Sequence, residues 1–234
     1  MPSELDVLEA IHTARMLRVL KPDPIPDELI QRILEAAICA PSAGNAQQWI
    51  FIAVEDAAQR RRLGESYRKA SASVRAFYLA QGRPAHMTEA EFGRFMKSGI
   101  HLHEHMGEAP VILLPCLRMD PRALPDSIPP ETQAAMRATF MRVAGASVYP
   151  AVQNVILACR ALGLGTCLTT NHVLVEDEVR AIVGLPDNCG VFAMMPIGYP
   201  VGRYGPLRRK PLRAVACRDR FGTAWETRSS DQGP

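Results

Sequence analysis

The chain has 234 residues, of which 47% are hydrophobic and 22% charged, values that are ordinary for a globular protein with a substantial core. The formal net charge of +3 is too small to indicate a nucleic-acid-binding protein, and basic residues are not interleaved with aromatic ones as such a surface requires. No stretch of about eighteen apolar residues occurs, so no membrane-spanning helix is predicted, and the N-terminus lacks the apolar core of a signal peptide.

Helical and extended patterns alternate through the first half of the chain. Asp27 is a candidate N-cap for the second of the predicted helices. The apolar run Trp49–Val54 predicts a buried strand. The predicted helices cover residues 5–14, 27–40, 57–80 and 89–107.

The second half continues this alternation after a proline-rich connection at 118–130. The longest helical pattern covers 131–162, and Pro150 should kink it or mark a break. No repeat or linker divides the chain, so one layered α+β or α/β domain over 1–234 is predicted. The other predicted elements are strands at Val111–Leu117 and Val191–Ile197, an extended segment at Thr166–Thr170, and a helix at Val175–Val183 that ends at Gly184.

The cysteines give no sign of a metal site or a disulfide framework. None forms a C-x-x-C pair, and no histidine lies at metal-ligand spacing from one. Most of them lie in apolar runs, where a free thiol behaves as a small hydrophobic group, and this pattern favours a reducing, cytoplasmic compartment. They are Cys39, Cys116, Cys159, Cys167, Cys189 and Cys217.

A short turn of small and polar residues separates the second predicted helix from the first strand. Pro41 cannot continue a helix, and Ser42, Gly44 and Asn45 tolerate unusual backbone angles while leaving backbone N–H groups unshielded. Such a turn can hold an anion or the polar edge of a flat heterocycle. The alternative is an ordinary connection between a helix and a strand.

Two arginines precede this helix at a spacing of three residues. Arg15 and Arg18 lie on one face of a helix end or tight turn, and guanidinium groups are suited to bidentate capture of phosphate. The alternative for each is a solvated surface charge.

Several motifs follow in an order that is typical of one enzyme family. R-x-x-R at Arg15–Arg18, L-K-P-D-P-I-P and A-P-S-A-G-N-x-Q-x-W occur within the first fifty residues. G-L-G-T at 163–166, P-I-G-Y-P at 196–200 and a basic motif at 207–212 follow. From about residue 8 to residue 216, this ordered set resembles the FMN-dependent nitroreductase family. The resemblance implies a nitroreductase-like α+β fold with a central, mainly antiparallel sheet flanked by helices, in a homodimer with an exchanged C-terminal arm.

The resemblance also implies a set of FMN contacts. Arg15 and Arg18 match the N-terminal phosphate and ring contacts, and Arg209, with Arg208 as its rival, matches the C-terminal basic residue. Counting along from the G-L-G-T motif leads to Leu168, Thr169 and Thr170, with Thr170 chosen as the contact to the flavin N5 atom. The alternative for the threonines is a role as β-branched strand residues. The turn residues Pro41, Ser42, Ala43 and Asn45 match contacts to flavin held by the other subunit, so the site is expected to be composite.

Residues 67–107 correspond to the variable lid region of the family. Its aromatic residues could stack on a nitroaromatic or nicotinamide ring or could be core or dimer contacts, so no substrate contact is assigned there. They are Tyr67, Phe77, Tyr78, Phe92 and Phe95. His101 and His105 share one helical face, but no third ligand is nearby, so no metal is predicted. The resemblance implies hydride transfer from NADH or NADPH through bound FMN to nitroaromatic, quinone or similar small acceptors by a ping-pong mechanism. The alternatives are a flavin-dependent reductive dehalogenase, a flavin-consuming enzyme of the same fold, and a flavin-binding protein without activity.

Overall fold

An antiparallel sheet organises the computed structural model, which describes residues 5–120 and 124–226. Its strands are β1 at Trp49–Val54, β2 at Val111–Arg118, β3 at Gly165–Thr166, β4 at Cys189–Val191 and β5 at Met195–Gly198. The main path of the sheet runs β1-β2-β5-β3, and β4 pairs with the C-terminal end of β2, beside β5. The strands that the structure describes all pair antiparallel, which confirms the predicted sheet type.

Helices cover both faces of this sheet. Within the described residues, none of them is long and apolar enough to cross a bilayer. They are α1 at Val7–Thr13, α2 at Asp27–Ile38, α3 at Ala57–Gln81, α4 at Glu89–His105, α5 at Pro130–Val143, α6 at Tyr149–Ala161 and α7 at Glu176–Val183.

Strand β2 lies at the centre of the packing because both of its faces are buried from Val111 to Leu117. Alternate side chains of a strand point to opposite faces, and here they enter two different apolar clusters. Leu113 packs into the cluster that contains the apolar faces of α2 and α6. Ile112 and Leu114 pack into the cluster that contains residues of α3, α4 and α7.

The prediction of one continuous strand over Val191–Ile197 is wrong, because a β-bulge divides this segment into β4 and β5. The register pairs Cys116 with Val191 on one side of the break, but Leu113 with Met195 on the other, so one extra residue is accommodated between them. The bulge lies beside Pro115. The Phe192 N–H donates to the Pro115 carbonyl at 2.9 Å, and proline has no N–H with which to return the bond.

The extended segment Thr166–Thr170 is likewise shorter as a strand than predicted. Continuing the register of β3 and β5 by one pair beyond Thr166 and Ile197 places Cys167 opposite Pro196, which cannot donate to the ladder. Pairing resumes as a single bridge between Thr169 and Met194. The segment therefore runs beside the sheet with few ladder bonds, and its backbone groups are available elsewhere.

Proline and cap positions also adjust the predicted helix ends. The 131–162 pattern breaks into α5, a 3-10 turn and α6, and Pro150 lies in the first turn of α6, where its missing N–H costs nothing. The prediction that Asp27 caps α2 is wrong, because Pro26 holds the cap position and Asp27 is the first helical residue. Gly184 ends α7 with φ of 65°, as predicted. The proline-rich connection includes residues 121–123, which lie outside the described residues.

Helix α3 approaches the turn after α4 so closely that glycine is required on both sides. A Cβ atom on Gly64 would lie 2.7 Å from the Gly107 nitrogen, and a Cβ on Gly107 would lie 2.8 Å from the Arg60 carbonyl oxygen. Arg60 reinforces the contact by donating to the Ala109 carbonyl oxygen at 2.6 Å. Both neighbours of the missing Cβ atoms are backbone, so neither can move aside as a flexible side chain would.

We expect Gly64→Ala to lower the free energy of unfolding by about 1–3 kcal/mol, because the added methyl group forces the two backbones apart. Gly93→Ala is the matched control: Gly93 lies within α4 with no atom within 4 Å of its added Cβ. That change should raise stability by up to about 1 kcal/mol through helix propensity. Urea denaturation of both variants measures the difference, and equal stability of Gly64→Ala and the wild type would contradict the contact.

Candidate functional site

A cavity of about 210 Å³ opens between residues 168–171 and the helices α3 and α4. We call it the central cavity. Arg18, Leu168, Thr169 and Thr170, four of the residues singled out by the sequence, line it together. The two helices on its other side belong to the 67–107 region that the resemblance identified as a lid.

The backbone of residues 168–170 presents hydrogen-bond donors at this cavity. Thr169 faces Met194, whose N–H donates to the Thr169 carbonyl oxygen at 3.0 Å. Backbone groups alternate in direction along an extended segment, so the N–H groups of Leu168 and Thr170 point away from Met194. Neither N–H has an acceptor within residues 5–120 and 124–226. Thr170 is exposed to solvent, and these donors are therefore available to a bound molecule.

A buried polar network holds this segment against α3. The hydroxyl groups of Tyr67 and Thr169 lie 2.7 Å apart, and Tyr67 is only 1% exposed. The Asn171 side-chain amide donates to the Tyr67 hydroxyl at 3.4 Å and to the Ser71 hydroxyl at 3.2 Å. Burial raises the pKa of Tyr67, so the phenol stays protonated near neutral pH. The network fixes the backbone between Thr169 and Asn171.

The charged side chains that line the central cavity are basic. Arg18 is half-buried and donates to the Ser98 hydroxyl on α4 at 3.5 Å, and Arg75 projects from α3. Burial lowers the pKa of His103, and the positive charges of Arg75 and Arg18 lower it further, so its imidazole is neutral near pH 7. Among the residues that the structure describes, no aspartate or glutamate lines this cavity.

The remaining predicted phosphate ligands lie outside the central cavity. A Cβ on Gly205 would lie 3.9 Å from Nη1 of Arg15, so Arg15 is close to the C-terminal segment. Arg208 pairs with Glu91 near the start of α4, while Nη1 of Arg209 donates to the Arg208 carbonyl oxygen at 2.9 Å. Hydrogen bonds from Thr88 and the positive charge of Arg208 lower the pKa of Glu91.

The predicted turn 41–45 also lies apart from the central cavity of its own chain. Its backbone is strained, with φ of 50° at Asn45, a value that non-glycine residues seldom adopt. The Ala43 N–H donates to the buried Ser147 hydroxyl at 3.1 Å, and the Ser42 hydroxyl accepts from the Gln47 N–H at 3.0 Å. The turn is thus rigid and anchored, while Asn45 remains exposed.

Sequence reasoning missed the cavity-facing side of α3. Tyr67, Ser71 and Arg75 recur at a spacing of four residues, and this periodicity could have indicated one helical face directed at the site. The histidines of α4 were considered only as metal ligands. The rings of His101 and His105 stack at 4.3 Å, and no group of three or more potential ligands is found within the described residues.

Comparisons with known proteins agree with the fold. The profile of the Nitroreductase family matches residues 11–199. The chain is 30% identical to an NADH dehydrogenase of Thermus thermophilus over 219 residues, covering 92% of this chain and 98% of that protein. It is also 30% identical to a 5,6-dimethylbenzimidazole synthase of Rhodospirillum rubrum over 200 residues, covering 85% and 84% of the two chains.

A solved structure adds a similarity in three dimensions. An oxidised iodotyrosine deiodinase bound to FMN and 3-iodo-L-tyrosine aligns with a TM-score of 0.66 and 21% identity, over 92% of this chain and 99% of that one. At this identity the likeness shows a shared fold. Because the family profile covers most of the chain and a relative at 30% identity spans nearly all of it, the chain belongs to the nitroreductase family.

Proposed function

We propose that this protein is an FMN-dependent oxidoreductase that uses NADH or NADPH to reduce nitroaromatic, quinone or similar small acceptors. The observation that carries the proposal is that the N–H groups of Leu168 and Thr170, beside Arg18 in the central cavity, have no acceptor among the residues the structure describes. When bound, FMN would accept a hydride from the nicotinamide and pass electrons to the acceptor. The role of the protein is then to bind and orient the flavin, the nicotinamide and the acceptor.

The residues of the central cavity fit a flavin. An isoalloxazine ring has acceptor atoms along one edge, and N–H groups that lack an internal partner are suited to them. Thr170 is our choice for the donor at N5, and Leu168 and Thr169 support it from the same segment. Donors placed there also stabilise negative charge that develops on a reduced ring. Because Tyr67 and Asn171 hold this segment, the donors are already positioned before any ligand arrives.

The phosphate would be held outside the cavity by basic residues. Arg15 lies beside the C-terminal segment that carries Arg208 and Arg209. Arg208 is already paired with Glu91, whereas within the described residues the partner of the Arg209 guanidinium is only a carbonyl oxygen, so Arg209 is the better candidate. A guanidinium group suits bidentate contact with phosphate oxygens.

We further propose a homodimer in which the turn 41–45 of each chain completes the site of the other. In one chain alone the central cavity has a volume of about 210 Å³, which is less than the roughly 300–1,000 Å³ of typical ligand sites. Apolar side chains are exposed on α1 and along the C-terminal segment, including Val7, Leu8 and the fully exposed Phe221, which supports a further interface and an exchanged arm. A monomer with a full complement of FMN and full activity would contradict this arrangement. Unpaired cysteines accord with action in a reducing, cytoplasmic compartment.

A second candidate is a flavin-consuming or dehalogenating enzyme. The similarity to a 5,6-dimethylbenzimidazole synthase equals that to the NADH dehydrogenase in identity, and the deiodinase shares the fold. Both candidates require flavin in the same cavity, so they differ in the compound that reacts with the flavin. Assays with the substrates of each candidate separate them.

We expect the purified protein to show the absorption bands of FMN and to oxidise NADH or NADPH when a quinone is supplied. Two assays test the second candidate. Reduced flavin with oxygen should give little 5,6-dimethylbenzimidazole, and reduced flavin with 3-iodotyrosine should release little iodide. A colourless protein that cannot be reconstituted with FMN would overturn the whole proposal. Rapid product formation with no quinone reduction would favour the second candidate.

Removal of either proposed phosphate ligand should weaken FMN binding. Arg15→Ala and Arg209→Ala each delete a charge-assisted hydrogen bond, so the dissociation constant should rise about tenfold to a hundredfold. Arg213→Ala, which removes an exposed charge from the same C-terminal segment, is the matched control. Fluorescence titration of the apoproteins measures the change. Unchanged affinity in both test variants would mean that other arginines hold the phosphate.

The Thr170 contact should depend on its backbone. Thr170→Ala keeps the N–H and should retain FMN affinity within about twofold, whereas Thr170→Pro deletes the donor and should weaken it about tenfold. Circular dichroism melting checks that both variants fold, and a redox titration shows whether the flavin potential shifts. If Thr170→Ala weakens binding as much as the proline variant does, the hydroxyl is the donor. Wild-type affinity in a folded Thr170→Pro would contradict the contact altogether.

A further inference from the structure

Arg75 is a charged residue of the central cavity that the proposed flavin contacts leave unused. It projects from α3, opposite the segment that presents the Thr170 N–H. Within residues 5–120 and 124–226, its guanidinium group forms no hydrogen bond and no ion pair. An arginine without a partner at the edge of a cavity is free to bind an anion that enters it.

The charge balance of the cavity favours an anion. Arg18 and Arg75 are both positive, and the described part of the lining contains no carboxylate that could neutralise them. Arg18 is half-buried and donates to the Ser98 hydroxyl on α4 at 3.5 Å, so, unlike Arg75, it already has a partner among the described residues. Arg75 lies on the lid side and is exposed, so it meets a molecule that comes and goes.

The same side of the cavity offers surfaces for an aromatic ring. Tyr78 lies one helical turn beyond Arg75 on α3, and its ring meets Phe95 of α4 edge to face at 5.4 Å between centroids. Both rings line the cavity, and Tyr78 remains 39% exposed. Exposed aromatic faces and edges favour stacking of a flat aromatic ligand.

We propose that Arg75 binds an anionic substituent, such as a carboxylate, on an aromatic electron acceptor whose ring packs beside Tyr78 and Phe95. The acceptors of this protein are then negatively charged aromatic compounds, and Arg75 determines the preference for them over neutral ones. This inference rests on the proposed function for the identity of the reaction, but it makes a separate statement about binding.

Equilibrium binding tests the inference without turnover. Benzoate and benzamide have nearly the same shape and differ in charge, so calorimetry on the purified FMN-loaded protein compares them directly. We expect benzoate to bind about tenfold more tightly than benzamide, and Arg75→Gln to remove that preference while Arg75→Lys keeps part of it. Arg62→Gln, which removes an exposed charge from the same helix outside the cavity lining, should keep the full preference.

Turnover and cofactor affinity complete the test. In Arg75→Gln, kcat/KM for 4-nitrobenzoate should fall about tenfold, and kcat/KM for 4-nitrobenzamide should stay within about twofold. Equal affinity of the wild type for benzoate and benzamide would overturn the inference. Three results for Arg75→Gln would also overturn it: a loss of FMN affinity, a higher KM for NADH or NADPH with the acceptor preference intact, or a change of molecular mass in light scattering. Benzoate selectivity without any reductase activity would instead contradict the proposed function and leave the anion site in place.

Discussion

The burial of β2 on both faces from Val111 to Leu117 is the constraint on which the rest of this structure depends. A strand whose apolar side chains point to both faces must be covered twice, and α2 with α6 on one side and α3 with α4 and α7 on the other provide that cover. Two helices of the second layer, α3 and α4, reach the central cavity. The position of the candidate site therefore follows from how the sheet is covered.

Two prolines interrupt the regular pairing of this sheet. Pro115 and Pro196 each remove a ladder donor, and the chain next to each leaves the regular pairing. Past the position where Cys167 lies opposite Pro196, the segment with Leu168 and Thr170 forms one bridge instead of a full ladder. The N–H groups of Leu168 and Thr170 therefore have no acceptor in the described part of the chain. Tyr67 then supplies from a helix the rigidity that a continuous strand would have supplied.

The elements with a strong local pattern were predictable from the sequence. Helices α2, α3 and α4 and strands β1 and β2 appear close to the predicted bounds, because their apolar periodicity reflects the layer that buries them. The division of Val191–Ile197 was not predictable, because it depends on which residue lies opposite Pro115. The same reason applies to the short β3, since the register that sets Cys167 against Pro196 is a tertiary property.

The residues of the candidate site likewise differ in whether the sequence could predict them. Arg18 and residues 168–170 were identified from ordered motifs, and the structure brings them together in one cavity. The hydrogen bond between Tyr67 and Thr169 joins residues 102 positions apart, and no local pattern specifies such a contact. Arg75 was overlooked because an exposed arginine on a long amphipathic helix has the same sequence signature as any solvated charge.

The ion pair between Arg208 and Glu91 has a consequence for how firmly the C-terminal segment is held against α4. Arg208 is 86% exposed, so water and salt screen the pair strongly and it adds little to stability. Glu91 also caps α4 through Thr88, and this role does not depend on Arg208. The C-terminal segment can thus leave the helix without unfolding its end. The contact between the C-terminal segment and α4 through this pair therefore weakens as ionic strength rises.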